Sequence, residues 1–159
     1  MTDFTHLDAD GRVRMVDVGG KAETKRTAKA VGAVTMTAET LDRIMDEKVK
    51  KGNVLETARI AGVMAAKKTA DLIPMCHPLN ITHVRVDFIP DPETRTIRIE
   101  AEVSLTGRTG VEMEALTAVS VAGLTIYDMC KSYDKGMRIS GIQLKSKTGG
   151  KSGSWTMGS

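Results

Sequence analysis

The stretch His83-Val-Arg-Val-Asp-Phe-Ile-Pro-Asp-Pro-Glu-Thr-Arg-Thr-Ile-Arg-Ile-Glu-Ala-Glu-Val-Ser-Leu105 decides the fold. Apolar and polar side chains alternate from Val84 to Phe88, and they alternate again from Ile97 to Leu105. A period of two places the apolar side chains of a strand on one face and the polar ones on the other. The segment Pro90–Thr94 between the two runs has the composition of a turn. The sequence therefore predicts a β-hairpin with one face in the core and one face turned to solvent or to an interface.

Helical patterns lie on both sides of this hairpin. Apolar residues recur at helical spacing in three segments, at about 38–48, 53–72 and 111–132, and Pro74 ends the second. Each segment begins at a candidate N-terminal cap: Thr37, then Asn53 with Glu56, then Thr109 with Glu112.

Two further strands complete the order of elements. Looser alternation predicts a first strand over 27–36 and a last strand over 137–145. The resulting order βααββαβ consists of two split βαβ halves, which predicts an α+β fold of the ferredoxin-like type. We expect a four-stranded antiparallel sheet with the helices packed on one face. Residues 1–159 are expected to form a single domain, with an N-terminal arm of about 1–26 and a Gly/Lys-rich C-terminal segment of about 145–159.

Composition excludes several classes of protein. The chain has 159 residues, 41% hydrophobic and 27% charged, with a formal net charge of +3, which predicts one ordinary core rather than disorder. The longest uncharged apolar stretch, Ala115–Tyr127, is shorter than the ~20 residues that a membrane span needs. The first residues carry acids and no apolar run, unlike a secretory signal. Cys76 and Cys130 lie far apart, which favours reduced thiols and a cytoplasmic protein.

Positive charge is concentrated near the two ends. Residues 131–159 contain six Lys or Arg side chains and one acid, Asp134, and residues 12–29 contain another six cations against two acids. Two local basic regions on a nearly neutral chain predict a focused anion site rather than a general nucleic-acid surface. On charge alone, a solvated tail that lysines keep soluble explains the pattern equally well.

The segment Met75-Cys-His-Pro-Leu79 is the first candidate for chemistry. Pro74 and Pro78 bracket Cys76 and His77 and restrict their backbone, so that a rigid loop presents the imidazole. Such a histidine suits acid/base work or phosphate contact, and its alternative role is a turn residue with satisfied hydrogen bonds. A zinc site of Cys76, His77, His83 and Cys130 is rejected because no C-x-x-C spacing is present.

The third helix carries the second group of candidates. Asp128 and Lys131 lie three residues apart on one face, as an exposed ion pair or as an acid/base couple. Arg108 precedes the helix start, where an anion could meet free amides. Glycines and lysines of Lys145-Ser-Lys-Thr-Gly-Gly-Lys-Ser-Gly153 suit phosphate oxygens, although P-loop spacing is absent and a flexible tail remains the alternative.

Several blocks of the chain resemble the MoaC family, the cyclic pyranopterin monophosphate synthases of molybdenum-cofactor biosynthesis. The blocks span nearly the whole chain: Met15-Val-Asp-Val18, Lys21, Thr24-Lys-Arg26, Lys51-Gly52, Thr57-Ala-Arg-Ile-Ala-Gly62, Asp71-Leu-Ile-Pro-Met-Cys-His-Pro-Leu79, Thr106-Gly-Arg-Thr-Gly-Val-Glu-Met-Glu-Ala-Leu116, Leu124-Thr-Ile-Tyr-Asp-Met-Cys-Lys131 and Lys147-Thr-Gly-Gly-Lys-Ser-Gly153.

The resemblance implies a ferredoxin-like fold and a single catalytic domain. It implies a lyase that converts 3′,8-cyclo-7,8-dihydroguanosine 5′-triphosphate, made by a radical-SAM enzyme, into cyclic pyranopterin monophosphate and pyrophosphate. It also implies a homohexamer, a trimer of dimers with the active site at the dimer interface. No nucleic acid, membrane or cofactor is implied, and the sequence leaves open whether magnesium accompanies the triphosphate.

The resemblance also implies roles for individual residues. The implied catalytic set is Asp128 as acid/base, Lys131 as its neighbour in proton transfer, Lys51 and Lys147 as lysines needed for turnover, and His77. The implied substrate-binding set is Met75, Cys76 and His77, Met113 and Glu114, and Arg26, Arg108 and Glu112 at the rim. The chain departs from the family pattern at Gly19, where serine is frequent, and the family varies between lysine and arginine at Arg108.

Two other functions compete with this interpretation. A ferredoxin-like RNA-binding module would carry aromatic residues on its central strands, where this sequence offers only Phe88. An oligomeric nucleotide sensor would also need phosphate-binding lysines, but it would not need Asp128 paired with Lys131 at a cleft. Release of pyrophosphate from the cyclised nucleotide distinguishes the enzyme from the sensor.

Overall fold

The computed structural model describes residues 7–158. Residues 1–6 of the predicted N-terminal arm, and Ser159, lie outside this range. The elements in chain order are β1 Thr24–Thr35, α1 Ala38–Met45, α2 Val54–Lys67, α3 Thr69–Leu72, β2 His83–Asp91, β3 Thr96–Gly107, α4 Glu112–Cys130, β4 Arg138–Thr148 and β5 Trp155–Thr156.

The strands form one antiparallel sheet in the order β2-β3-β1-β4-β5. The first four strands have the ferredoxin-like arrangement, with β1 and β3 in the centre, and the predicted fold class is confirmed. The predicted hairpin is β2–β3, in which Val86 lies opposite Ala101. β5 is an addition of two residues that the sequence did not indicate, because so short a segment carries no periodic pattern.

The core lies between the sheet and the helices. Ala28, Ala30 and Val34 of β1 are buried beneath α4, whereas Lys29 on the opposite face pairs with Glu102 at 2.8 Å. α2 packs closely along α4, because small side chains line the contact. A Cβ added at Gly62 would lie 3.1 Å from the carbonyl oxygen of Ala118.

The ends of the helices differ from the predicted ones. Thr37 and Asn53 are caps as predicted, each accepting a hydrogen bond from the backbone three residues on. The prediction of an N-terminal cap at Thr109 is wrong, because the N-cap of α4 is Val111, whose side chain forms no capping hydrogen bond. The predicted second helix ends early, at Lys67, where the Thr69 hydroxyl donates to two of the last carbonyls.

Replacement of Gly62 by leucine is expected to destabilise the chain by about 1–3 kcal/mol, because the new side chain enters a filled helix contact. Urea unfolding measures this loss. The matched control is Lys67→Leu on the exposed end of the same helix, which is expected to change stability by less than about 0.5 kcal/mol. Equal stability of the two variants would contradict the close packing of α2 on α4.

Among residues 7–158, no helix is both long enough and apolar enough to cross a membrane.

Candidate active site

A cleft of about 430 Å³ opens at the N-terminal end of α4. One wall is the loop that follows α3, where Pro74 and Pro78 restrict the backbone as the sequence predicted. The other wall is the first turn of α4. The cleft, called here the Glu114 cleft, brings together six of the predicted substrate-binding residues: Met75, Cys76, His77, Glu112, Met113 and Glu114.

Glu114 is the most unusual titratable group of this cleft. The residue is only 4% exposed although its side chain is a carboxyl group. Burial raises the pKa of Glu114 to about 7, and the charge of Glu112 adds to the effect. Burial, and then the charge of Glu114, also raises the pKa of the Cys76 thiol. At neutral pH the Glu114 carboxyl can therefore either donate or accept a proton.

A second cleft of about 180 Å³, called here the anion cleft, is lined by the cations Lys21, Arg26, Arg108 and Lys147. The Arg26 guanidinium is held by the backbone, since Nε donates to the carbonyl of Gly107 and Nη2 to that of Arg108, both at 3.2 Å. The Lys147 ammonium donates to Glu112 Oε1 at 2.8 Å. The Glu112 carboxylate therefore binds Lys147, whereas the sequence predicted that it would cap the start of the helix.

The two clefts are continuous. Lys21, Thr109, Gly110 and Glu112 line both of them. A ligand can therefore place a negatively charged group among the arginines and lysines while its remainder contacts Glu114 and His77. Lys21 was part of a basic cluster in the sequence but was not named as a site residue, since charge alone did not distinguish it from its neighbours.

The third group of predicted residues, called here the Asp128 cluster, consists of Lys51, Asp128 and Lys131 at the C-terminal end of α4. Lys131 Nζ donates to Asp128 Oδ1 at 2.5 Å. Lys51 Nζ donates to the backbone carbonyl of Asp128 at 2.8 Å and lies 3.6 Å from its Oδ2. The hydrogen bond from Lys131 lowers the pKa of Asp128, and the same bond raises the pKa of Lys131.

Within one copy of the chain the Asp128 cluster is far from both clefts. At about 1.5 Å per residue, the helix from Glu112 to Asp128 is about 24 Å long. The structure thus divides the predicted residues into two sets at opposite ends of α4. One set is the two clefts, with His77, Glu114, Arg26, Arg108 and Lys147, and the other is the Asp128 cluster.

No metal site is found in the part of the chain that the structure describes, where no group of three or more His, Cys, Asp or Glu side chains is placed to hold an ion. Both cysteines are free, with Cys130 buried and Cys76 partly buried. The side chains that line the two clefts include cations, a buried carboxyl and an imidazole.

The fold and the clefts define a class of protein: an α+β protein of ferredoxin-like topology whose clefts place cations beside titratable side chains. The chain belongs to the MoaC family, whose model matches residues 15–150. It is 78% identical over 155 residues to the cyclic pyranopterin monophosphate synthase of Desulforapulum autotrophicum, covering 98% of this chain and 95% of that protein.

Two other relatives carry the same name. The protein of Desulfatibacillum aliphaticivorans is 66% identical over 153 residues, which cover 96% of each chain. The protein of Chloroflexus aurantiacus is 61% identical over 153 residues, covering 96% of this chain and 94% of the relative.

Proposed function

We propose that the chain is a cyclic pyranopterin monophosphate synthase, a lyase that acts early in molybdenum-cofactor biosynthesis. Its substrate is 3′,8-cyclo-7,8-dihydroguanosine 5′-triphosphate, and its products are cyclic pyranopterin monophosphate and pyrophosphate. The observation that carries the proposal is the continuity of the anion cleft with the Glu114 cleft. The names of relatives at 61–78% identity over nearly the whole chain support it.

The anion cleft suits the phosphate chemistry of this reaction. A sugar hydroxyl oxygen bonds to the α-phosphorus, while the bond from that phosphorus to the bridging oxygen breaks. Pyrophosphate leaves with the electron pair, and the hydroxyl proton passes to a base of the site. Charge grows on the leaving group, so that Arg26, Arg108 and Lys147, fixed around the cleft, stabilise the transition state.

The Glu114 cleft suits the rearrangement of the purine into a pterin. That rearrangement adds and removes protons at several ring atoms, which requires groups that can exchange protons near neutral pH. Glu114 has a pKa of about 7 because it is buried, and His77 lines the same cleft. These two side chains hold and transfer protons at the purine ring of the substrate, while the cations bind its phosphates.

The Asp128 cluster joins this site through a second copy of the chain. In the proposed two-fold symmetric dimer the clefts of one copy face the C-terminal end of α4 of the other, and symmetry repeats the same contact at a second, equivalent site. Each site then combines Glu114, His77 and Lys147 of one copy with Asp128, Lys131 and Lys51 of its partner. This arrangement removes the separation of about 24 Å that a single copy imposes.

Exposed apolar side chains on α2 and α4 support the proposal that a second copy of the chain binds here. Leu124 is 57% exposed and lies four residues before Asp128, on the same face of α4. Ile60 and Met64 are 61% and 51% exposed and share one face of α2. Large apolar side chains grouped in this way are typical of surfaces that a partner covers.

The proposal extends to a homohexamer, a trimer of such dimers, that takes its substrate from a radical-SAM cyclase in the cytoplasm. The two free cysteines fit a reducing compartment. The site uses no cofactor of its own, and any magnesium arrives with the triphosphate.

Incubation of the purified chain with the cyclised nucleotide tests the function. We expect stoichiometric release of pyrophosphate and of a pterin whose mass is that of the cyclic monophosphate. The matched control is the Glu114→Gln variant, in which the cleft keeps its shape but loses its titratable group. A chain that binds the nucleotide without releasing pyrophosphate is a sensor, and that result overturns the proposal.

A further inference from the structure

Lys51 lies on a turn between α1 and α2, outside the helices and strands of the described residues. Two features hold the ends of this turn. Val49 is buried, and the amide of Gly52, whose φ is +107°, donates to the Val49 carbonyl at 3.0 Å. Lys50 and Lys51 lie between them and are exposed. The position of the Lys51 ammonium therefore depends on what holds the backbone in the middle of the turn.

Tyr133 holds that part of the backbone. Its hydroxyl oxygen accepts a hydrogen bond from the amide of Lys50 at 3.2 Å, across 83 positions of the sequence. Tyr133 belongs to the loop that follows α4, and its own amide donates at 2.8 Å to the carbonyl of Cys130, the last residue of that helix. The bond from Lys50 therefore fixes the turn relative to the end of α4, which carries Asp128 and Lys131.

The direction of the Tyr133 hydroxyl is set by contacts of its ring. The ring packs against the core, and Arg43 of α1 lies over it, with the guanidinium carbon 5.0 Å from the ring centre. Glu39 holds Arg43, since its Oε1 accepts a hydrogen bond from Nη2 at 2.9 Å. None of these ring contacts uses the hydroxyl group. A phenylalanine in place of Tyr133 would therefore keep the ring in position and lose only the hydrogen bond to Lys50.

The Lys51 side chain reaches the end of α4 from this turn. Its Nζ donates to the carbonyl of Asp128 at 2.8 Å and lies 3.6 Å from the Asp128 Oδ2. A lysine stem is long and flexible, so that these distances persist only while the backbone of the turn keeps its distance from α4. Misplacement of a reacting group by about 1 Å can lower turnover about 10²-fold. A small movement of the turn is therefore enough to weaken the Asp128 cluster.

We infer that Tyr133 is a positioning residue for Lys51: by binding the amide of Lys50, it holds the Lys51 ammonium at Asp128. The inference rests on the proposed function, in which Lys51 takes part in turnover. In this role Tyr133 contacts no substrate and transfers no proton. The sequence did not indicate it, because the contact joins two loops that are 83 positions apart.

Steady-state kinetics of Tyr133→Phe test the inference. We expect kcat to fall about tenfold, less than a full misplacement of Lys51 costs, because the buried Val49 still restrains the turn. KM is expected to stay within about twofold, since the clefts proposed to bind the substrate are formed at the other end of α4. The melting temperature is expected to fall by no more than about 4 °C, the effect of one neutral hydrogen bond.

The control is Thr94→Val, which also removes one hydroxyl group. The Thr94 hydroxyl donates to Asp91 Oδ2 at 2.7 Å in the turn between β2 and β3, outside the clefts and the Asp128 cluster. This variant is expected to keep the wild-type kcat. A loss of turnover in Thr94→Val as large as that in Tyr133→Phe overturns the inference.

Two further measurements separate positioning from a general structural role. Hydrogen exchange of the Lys50 amide is expected to be faster in Tyr133→Phe than in the wild type, whereas amides in the middle of α4 keep their rates. Single-turnover assays in a Lys51→Ala background provide the second measurement. There the added Tyr133→Phe change is expected to alter the rate by less than about twofold, because the group that it positions is gone.

The outcomes distinguish this inference from the proposed function. Wild-type kcat or unchanged Lys50 exchange in Tyr133→Phe overturns the inference. So does a tenfold loss in the Lys51→Ala background, which would show that Tyr133 acts independently of Lys51. Each of these results leaves the proposed function standing if the wild-type chain releases pyrophosphate from the cyclised nucleotide. A wild-type chain that releases none overturns the proposed function, and this inference with it.

Discussion

Asp128→Asn is expected to lower kcat by about 10³-fold, within the range that general acid–base groups contribute. The asparagine keeps the size of the side chain and leaves Lys51 bonded to the backbone carbonyl of residue 128, so that the helix end is preserved. It removes the carboxylate that Lys131 contacts at 2.5 Å. The KM is expected to stay within a few-fold of the wild-type value, because the clefts proposed to bind the phosphates and the purine ring are formed by residues at the other end of α4.

Asp46→Asn is the matched control for this variant. Asp46 also forms an exposed ion pair with a lysine, Lys48, at 2.7 Å, but outside the clefts and the Asp128 cluster. The control is expected to retain full turnover. Steady-state kinetics on both variants test whether Asp128 acts as an acid/base. A parallel loss of binding and turnover in Asp128→Asn counts against that role. Unchanged turnover in this variant also counts against it.

Glu114→Gln is expected to raise the free energy of unfolding by about 3 kcal/mol at pH 8.5, because the pKa of Glu114 is raised from 4.5 to about 7 by burial. A folded-state pKa above the unfolded one means that the unfolded chain releases its proton first. The stability of the wild type therefore falls as pH rises from about 4.5 to about 7, and the cost stays constant above that. Glutamine resembles the neutral acid and avoids this cost.

The measurement is urea unfolding of wild type and variant at pH 5 and pH 8.5. The difference is expected to be below about 1 kcal/mol at pH 5, where the folded carboxyl is neutral and the unfolded one is only partly ionised. Glu39→Gln, a change at an exposed residue of α1, is the control. A difference between wild type and Glu114→Gln that is the same at both pH values contradicts the raised pKa.

Much of the fold follows from local patterns. The hairpin β2–β3 appears in the sequence because its alternation of period two and its turn residues agree with each other. Thr37 and Asn53 cap α1 and α2 as predicted, since their partners lie three residues away. Local patterns fail where distant residues decide the outcome. The cap at Thr109 is absent, and Glu112 instead contacts Lys147, 35 residues away.

The site could be predicted only in part. Residues 75–77 and 112–114 meet in one cleft, as a shared substrate-binding role requires. The burial of Glu114 could not be read from the sequence, because glutamate is ordinarily exposed and its burial here depends on how distant segments of the chain pack together. For residues 145–153 the sequence left two interpretations open, because their lysines and glycines have the composition of a flexible tail as well as that of a phosphate site.

The division of the site between two copies is tested most directly by mixing two inactive variants. Asp128→Asn and Glu114→Gln are co-expressed with different tags, and the complexes that carry both tags are purified. If each site takes its clefts from one copy and its Asp128 cluster from the other, every mixed dimer contains one intact site. Random pairing of equal amounts then restores about a quarter of the wild-type activity per site, since half of the dimers are mixed and each mixed dimer has one intact site of two. Activity that stays at the level of the two separate variants would show that a single copy forms each site alone.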